Sequence, residues 1–168
     1  MSHLVPLCKG GHEPIISILI FGAIALYIKN KIAVALKKFN YKRLIEANIQ
    51  KGKEYELVCG EYYEKLGYDV EYNGINYTIK DGGIDLICFK NDELKLLIQC
   101  KNYDQEKSIN HEKIKVFHSN ATKYLDLNNE DRKKVRLRYA VPNAKVFDYS
   151  ALTIFRDSYY NCRYELIS

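Results

Sequence analysis

A chain of 168 residues with 26 Lys and Arg against 21 Asp and Glu carries a net charge of +5. That length holds one domain with its own core plus an appendage, and the modest basic excess suits a polyanionic partner without establishing one. Five cysteines with no CxxC pair, three of them (Cys59, Cys88, Cys100) at core positions, argue against a disulfide scaffold and for reduced thiols in a cytosolic compartment; His3, Cys8 and His12 fit no standard zinc spacing.

Residues 1–13 form an N-terminal tail. The next stretch, "PIISILIFGAIALYI" from Pro14 to Ile28, contains no charge and only Ser17 as a polar side chain. The residues after the proline would rise about 21 Å as a helix, short of the ~30 Å hydrocarbon core. Apolar character resumes at Ile32–Leu36 beyond Lys29 and Lys31, whose heads can snorkel to the headgroup layer. The pattern predicts a single membrane anchor over residues 14–36. A buried core helix, a cleaved signal peptide with Ala23-Ile24-Ala25 as its small-x-small site, and an amphipathic interfacial helix, against which the all-round apolar run argues, are the competing readings. Lys29, Lys31, Lys37, Lys38, Lys42 and Arg43 crowd the C-terminal flank while Lys9 stands alone before the run, which orients a single-pass anchor with the rest of the chain in the cytoplasm. Residues 37–50 read as a helical stalk.

Residues 51–168 read as an α/β domain. Tyr55, Val58, Cys59, Tyr62 and Leu66 recur at helical spacing, and Gly67 sits where a helix stop belongs. "YDVEY" and "INYTI" alternate like strands around Asn73-Gly74. A hairpin follows, then a helix with Ile114, Phe117, Ala121 and Tyr124 on one face. "VRLRYAV" is a strand ending at Pro142, "DYSALTIFRDS" a helix and "CRYELI" a closing strand. The order predicts a mixed central sheet with flanking helices.

The hairpin, "DGGIDLICFKNDELKLLIQCK" over 81–101, holds the chemistry. Its strands are apolar on both faces near the turn and gather polar groups only at the far end, unlike a solvated face. A three-residue turn around Asp92, or a bulge, places Asp85 opposite Gln99 with Lys101 as a diagonal neighbour; a two-residue turn without a bulge puts Asp85 opposite Ile98 on the wrong face. Taken alone, the pair reads first as an Asp–Lys contact at a fraying strand end. Glu56 lies beside the apolar stripe of the first helix, where it can edge toward the sheet. Asp81-Gly82-Gly83 precedes the strand as a tight turn. Lys107, Lys113, Lys115 and Lys123, then Arg132, Lys133, Lys134, Arg136 and Arg138, give one edge a basic character suited to phosphates.

A carboxylate and an amide carbonyl on adjacent strands offer two hard oxygen ligands to a divalent cation that polarises a phosphate and acidifies a water. A neighbouring lysine orients or deprotonates that water, or neutralises charge on the phosphorane.

"GKEYELVCGEYYEKLGYDV", "DGGIDL" at 81–86 and "QCK" at 99–101 together resemble the Mrr-like restriction endonuclease family of the PD-(D/E)XK nuclease superfamily. The resemblance runs from about Gly52 to the C-terminus and is weaker over "VRLRYAVPNAKVFDYSALTIF". It implies a restriction endonuclease-like fold and hydrolysis of DNA to 5′-phosphate and 3′-hydroxyl ends with Mg²⁺, Mn²⁺ substituting. It implies Asp85 as metal-ligating aspartate, Gln99 at the second acidic position, Lys101 as catalytic lysine, Glu56 as the helix glutamate near the metal and the Cys100 main-chain carbonyl as a further ligand. Asp81, Gly82, Gly83, Lys107 and Lys113 are the expected DNA contacts. Tyr55 stands where Phe is usual. A homodimer is left open, since cutting two strands generally asks for two active sites. The rival expectation is a DNA- or protein-binding module with this fold and no turnover.

Overall fold

The structure, a computed structural model, describes residues 13–73, 83–103, 106 and 108–168, without the side chains of 13–20 and 23. The chain divides into two compact units, Met1–Ala47 and Asn48–Ser168. Helix α1 (Glu13–Lys65) supplies residues to both. The second unit continues with β1 (Asp69–Tyr72), β2 (Leu86–Lys90), β3 (Glu93–Cys100), α2 (His111–Leu127), β4 (Arg136–Val141), α3 (Tyr149–Arg156) and β5 (Cys162–Leu166).

The five strands form one mixed sheet in chain order, antiparallel from β1 to β3 and parallel from β3 to β5. Two antiparallel strands can be joined by a tight turn, whereas parallel neighbours need a crossover, and α2 and α3 supply the two crossovers. Both helices pack on one face: Ile114, Phe117, Ala121 and Leu125 of α2 and Ala151, Ile154 and Phe155 of α3 meet Ile87, Leu97, Leu137 and Tyr139. Capping starts them, with the Asn110 carboxamide accepting from the Lys113 N–H at 3.2 Å and the Asp148 carboxylate from the Ala151 N–H at 2.8 Å.

The opposite face of the sheet, with Leu86, Cys88, Leu96, Ile98, Cys100 and Ala140, is covered by Tyr55, Cys59 and Tyr63 of α1. The buried stripe therefore runs at steps of four, and Val58 and Leu66, expected within it, are exposed at 43% and 49%. Gly60, one residue round from Cys59, is where the Tyr72 ring of β1 packs: a Cβ there would stand 2.3 Å from that ring. The helix ends as Gly67 predicts: its φ is +80°, and the Gly67 and Tyr68 N–H groups donate back to the Glu64 and Tyr63 carbonyls at 2.9 and 3.2 Å. At the other end of the chain, the Tyr55 hydroxyl donates to the Ile167 carbonyl at 2.9 Å and ties the C-terminus to the helix.

The membrane-crossing anchor expected over residues 14–36 is not borne out: among the described residues no helix is long and apolar enough to cross a membrane. Lys29 and Lys31, followed by Lys37 and Lys38, interrupt the apolar run too early. The expected strand "INYTI" lies outside the described residues, as do His3, Cys8 and His12.

Phe117 is fully buried and meets the Tyr139 ring edge-on at 5.9 Å, so it pins α2 to the face that carries the hairpin's polar end. Phe117→Ala should lower the unfolding free energy by about 3–5 kcal/mol in a denaturant titration; a loss under 1 kcal/mol would contradict this packing.

Candidate active site

The hairpin turn is Asn91-Asp92, two residues with φ of 55° and 58°. Positive φ at both central positions is the primed turn that matches strand twist. Pairing starts at Lys90–Glu93 and Phe89–Leu94, then shifts to Cys88–Leu96, leaving Lys95 as an extra residue in β3. Leu86 then pairs with Ile98, and the Asp85 N–H donates to the Ile98 carbonyl at 2.8 Å. The expected three-residue turn is thus replaced by its alternative, a bulge, and Asp85 lies opposite Gln99.

Asp85 is 4% exposed. The ladder ends beside it, so the Cys100 N–H is taken by its carboxylate, donating to Oδ2 at 2.6 Å. Lys101 Nζ stands 3.7 Å from the same oxygen, with the lysine side chain 28% exposed. The gross attraction of such a pair is about 4 kcal/mol at an effective dielectric near 20, comparable with the several kcal/mol that a buried carboxylate loses on leaving water. The Lys101 N–H donates to the Ala140 carbonyl of β4 at 2.9 Å, fixing the residue at the point where the chain leaves the sheet.

Gln99 is 9% exposed. It packs over Gly83, whose φ is +76° and where any Cβ would come within 2.7 Å of Gln99 Nε2. Asn73 steadies the strand entry, donating from Nδ2 to the Ile84 carbonyl at 2.8 Å. Glu56 enters from α1 with its Oε2 buried. Burial pushes the Cys100 thiol well up, with the neighbouring Cys59 and then the charges of Asp85 and Glu56 adding to it. The Asp85 carboxylate takes the Cys100 N–H, and Glu56 lines the same cleft as Cys100. Burial likewise pushes Cys88 up to about 12. The oxygens of Asp85, Gln99 and Glu56 are the hard donors this corner offers a cation. A buried carboxylate, an amide and a helix glutamate fit a small hard ion that keeps several waters. Among the described residues no group of three His, Cys, Asp or Glu forms a metal cluster.

Glu56, Cys100 and Lys101 open onto a cleft of about 590 Å³. Lys113 lies on its rim, donating to the Ser108 carbonyl at 2.7 Å with its ammonium 5.0 Å from the Tyr103 ring centre. The cleft is also lined by Asn48, Lys51, Gly52, Asn102 and Tyr103, which the sequence reading missed. Helical period could have found Asn48 and Gly52, which stand two turns and one turn before Glu56. Asn102 and Tyr103 directly follow the "QCK" triplet. Asp81, Gly82 and Lys107 lie outside the described residues. The basic edge expected along the later strands does not reach this cleft: Arg132 pairs with Asp126, and Lys134, Arg136 and Arg138 line a different pocket.

Residues 48–129 match the model of the restriction endonuclease family, in its Mrr catalytic-domain form. Residues 48–129 belong to the Mrr-like restriction endonuclease family. The matched stretch contains Glu56, Asp85, Gln99, Lys101 and Lys113, and ends after α2. No curated protein and no solved structure matches the chain. The chain thus carries a restriction endonuclease-like nuclease domain, a class that generally uses divalent metals.

Proposed function

We propose that the chain is a metal-dependent endonuclease that hydrolyses DNA phosphodiester bonds, with Asp85, Gln99, Lys101 and Glu56 as its catalytic set. The observation that carries this reading is the Lys101 ammonium held 3.7 Å from the buried Asp85 carboxylate at the edge of an open cleft. Asp85, Gln99, the Cys100 main-chain carbonyl and Glu56 are the oxygens that would hold Mg²⁺, or Mn²⁺ in its place. When bound, such an ion polarises the phosphate and lowers the pKa of a water.

Lys101 is partly exposed, so its ammonium serves the cleft while its stem stays packed. It orients the attacking water and neutralises negative charge gathering on the phosphoryl oxygens. Asp85 keeps that ammonium in place. Lys51 and Lys113 hold flanking phosphates at the rim, a contact that orders the substrate without reading its sequence. In-line attack leaves 5′-phosphate and 3′-hydroxyl ends. Cleavage of both strands takes two such sites, supplied by a second copy.

Lys101→Ala should lower plasmid cleavage by about 10²–10⁴-fold while leaving DNA affinity within a few-fold, and EDTA should stop the wild-type reaction until Mg²⁺ is returned. Wild-type rates in the variant would show the mechanism to be wrong. DNA binding that ignores EDTA, with no nicking at all, would identify a non-catalytic binding module instead.

The N-terminal unit supports a location. Phe21, Leu26, Tyr27 and Ile32 are all more than half exposed on α1, and large apolar side chains in such numbers favour an apolar environment. With Lys29, Lys31, Lys37 and Lys38 beside them, we infer attachment to a membrane from its cytoplasmic side through residues 14–36. The full chain should sediment with membranes, and removal of residues 1–47 should release it. A full chain found only in the soluble fraction would contradict the attachment.

A further inference from the structure

A second concave site lies at the far end of the sheet. Lys95 and Leu96 line it, whereas Gln99 to Lys101 form the catalytic corner, so about five residues of β3, roughly 16 Å, separate the two. This pocket has a volume of about 460 Å³, within the size range of small-ligand sites (about 300–1,000 Å³). Its floor is apolar and aromatic, made by Tyr63, Leu66, Tyr68 and Leu96. Its walls bring together five cations, Lys90, Lys95, Lys134, Arg136 and Arg138, against one lining carboxylate, Glu165.

That carboxylate is already engaged. Glu165 Oε2 stands 3.5 Å from Arg138 Nε, and the Tyr62 and Tyr63 hydroxyls donate to its two oxygens at 3.1 Å each. These bonds push both tyrosine hydroxyls up, for Tyr63 after burial itself. Glu165 thus serves as a brace that holds Arg138 in the wall. Lys90 is braced too: its ammonium lies 5.1 Å from the Tyr68 ring centre and donates to the Leu66 carbonyl at 3.4 Å. Lys95 is paired with Glu93. Arg136 is exposed and makes no ion pair among the described residues, and Lys134 is exposed beside it.

Cations fixed in advance around an apolar floor lose little freedom when an anion arrives, which is the condition for tight capture. Lys134 and Arg136 are exposed, so their heads can close on it. Duplex DNA presents a convex rod of phosphates, which suits an open basic face better than a recess walled by α1, β2 and β4. We propose that this pocket is a second anion site, which takes a compact ligand carrying two or more phosphate charges, of the size of a mononucleotide. It does not depend on the nuclease reading, because none of its residues belongs to the catalytic set.

The test is calorimetric titration of the full chain with pyrophosphate and with ADP, in the absence of divalent metal. One saturable site is expected. Arg136→Ala and Lys134→Ala should each weaken it by about tenfold (about 1.4 kcal/mol), and Lys101→Ala should leave it unchanged. Because Lys134 and Arg136 are exposed, both variants should keep the wild-type thermal midpoint in buffer alone, which separates lost binding from lost fold. Absence of saturation by either probe overturns the proposal, as does binding lost in Lys101→Ala but kept in Arg136→Ala. A third result also overturns it: pyrophosphate and ADP fail to bind while Arg136→Ala weakens binding of a short DNA duplex, which would make the cluster part of the DNA track.

Discussion

One extra residue in β3 decides where the chemistry can sit. Lys95 has no partner in the ladder, and the shift it creates between Cys88 and Phe89 carries Asp85 from opposite Ile98 to opposite Gln99. Side chains alternate across a sheet, so a one-residue change of register exchanges the faces of every residue beyond it. Without the bulge, the Asn91-Asp92 turn would direct Asp85 to the opposite face from Gln99. With it, the carboxylate, the amide and the Lys101 ammonium share one corner. Bulges are found next to active sites for this reason: they re-aim a side chain at modest cost to the ladder.

The corner is then stabilised by what surrounds it. A buried carboxylate is tolerated only when charge and hydrogen bonds replace the lost water. Asp85 receives both, from Lys101 at 3.7 Å and from the Cys100 N–H at 2.6 Å. The helix α1 contributes in two ways from one stripe. Tyr55, Cys59 and Tyr63 seal the apolar face, while Glu56, one residue round from Tyr55, reaches the cleft with a buried oxygen. The bare backbone at Gly60 lets β1 close on the same helix. On the other face α2 and α3 make the crossovers that allow β3, β4 and β5 to run parallel, and the N–H of Lys101 is tied to Ala140 across that parallel pair.

Much of this was legible in the residues because it rests on period. Alternation gave β1, two apolar runs about a polar turn gave β2 and β3, helical spacing gave α2, and Gly67 marked the end of α1. Polar residues confined to one end of an otherwise apolar hairpin pointed to Asp85, Gln99 and Lys101. The bulge was open as an alternative but its position was not, because a Lys at residue 95 alternates in the same way whether or not it is paired. The stripe on α1 was read with Val58 and Leu66 inside it. Apolar content cannot distinguish residues a quarter turn apart when the helix meets a sheet edge only at steps of four. Lysines within the first apolar run left too little uninterrupted length for a span. Glu165 was invisible as a brace, since its partners Arg138, Tyr62 and Tyr63 come from β4 and α1. Only parallel pairing of the last two strands brings them within reach.

Whether Asp85, Gln99 and Glu56 face one ion with Lys101 beside it is read by Mn²⁺ titration of the full chain in a calorimeter. One site is expected, weakened by at least about tenfold in Asp85→Ala, and unchanged or tighter in Lys101→Ala, where a competing positive charge has gone. Mn²⁺ affinity that is the same in Asp85→Ala as in the wild type would contradict it.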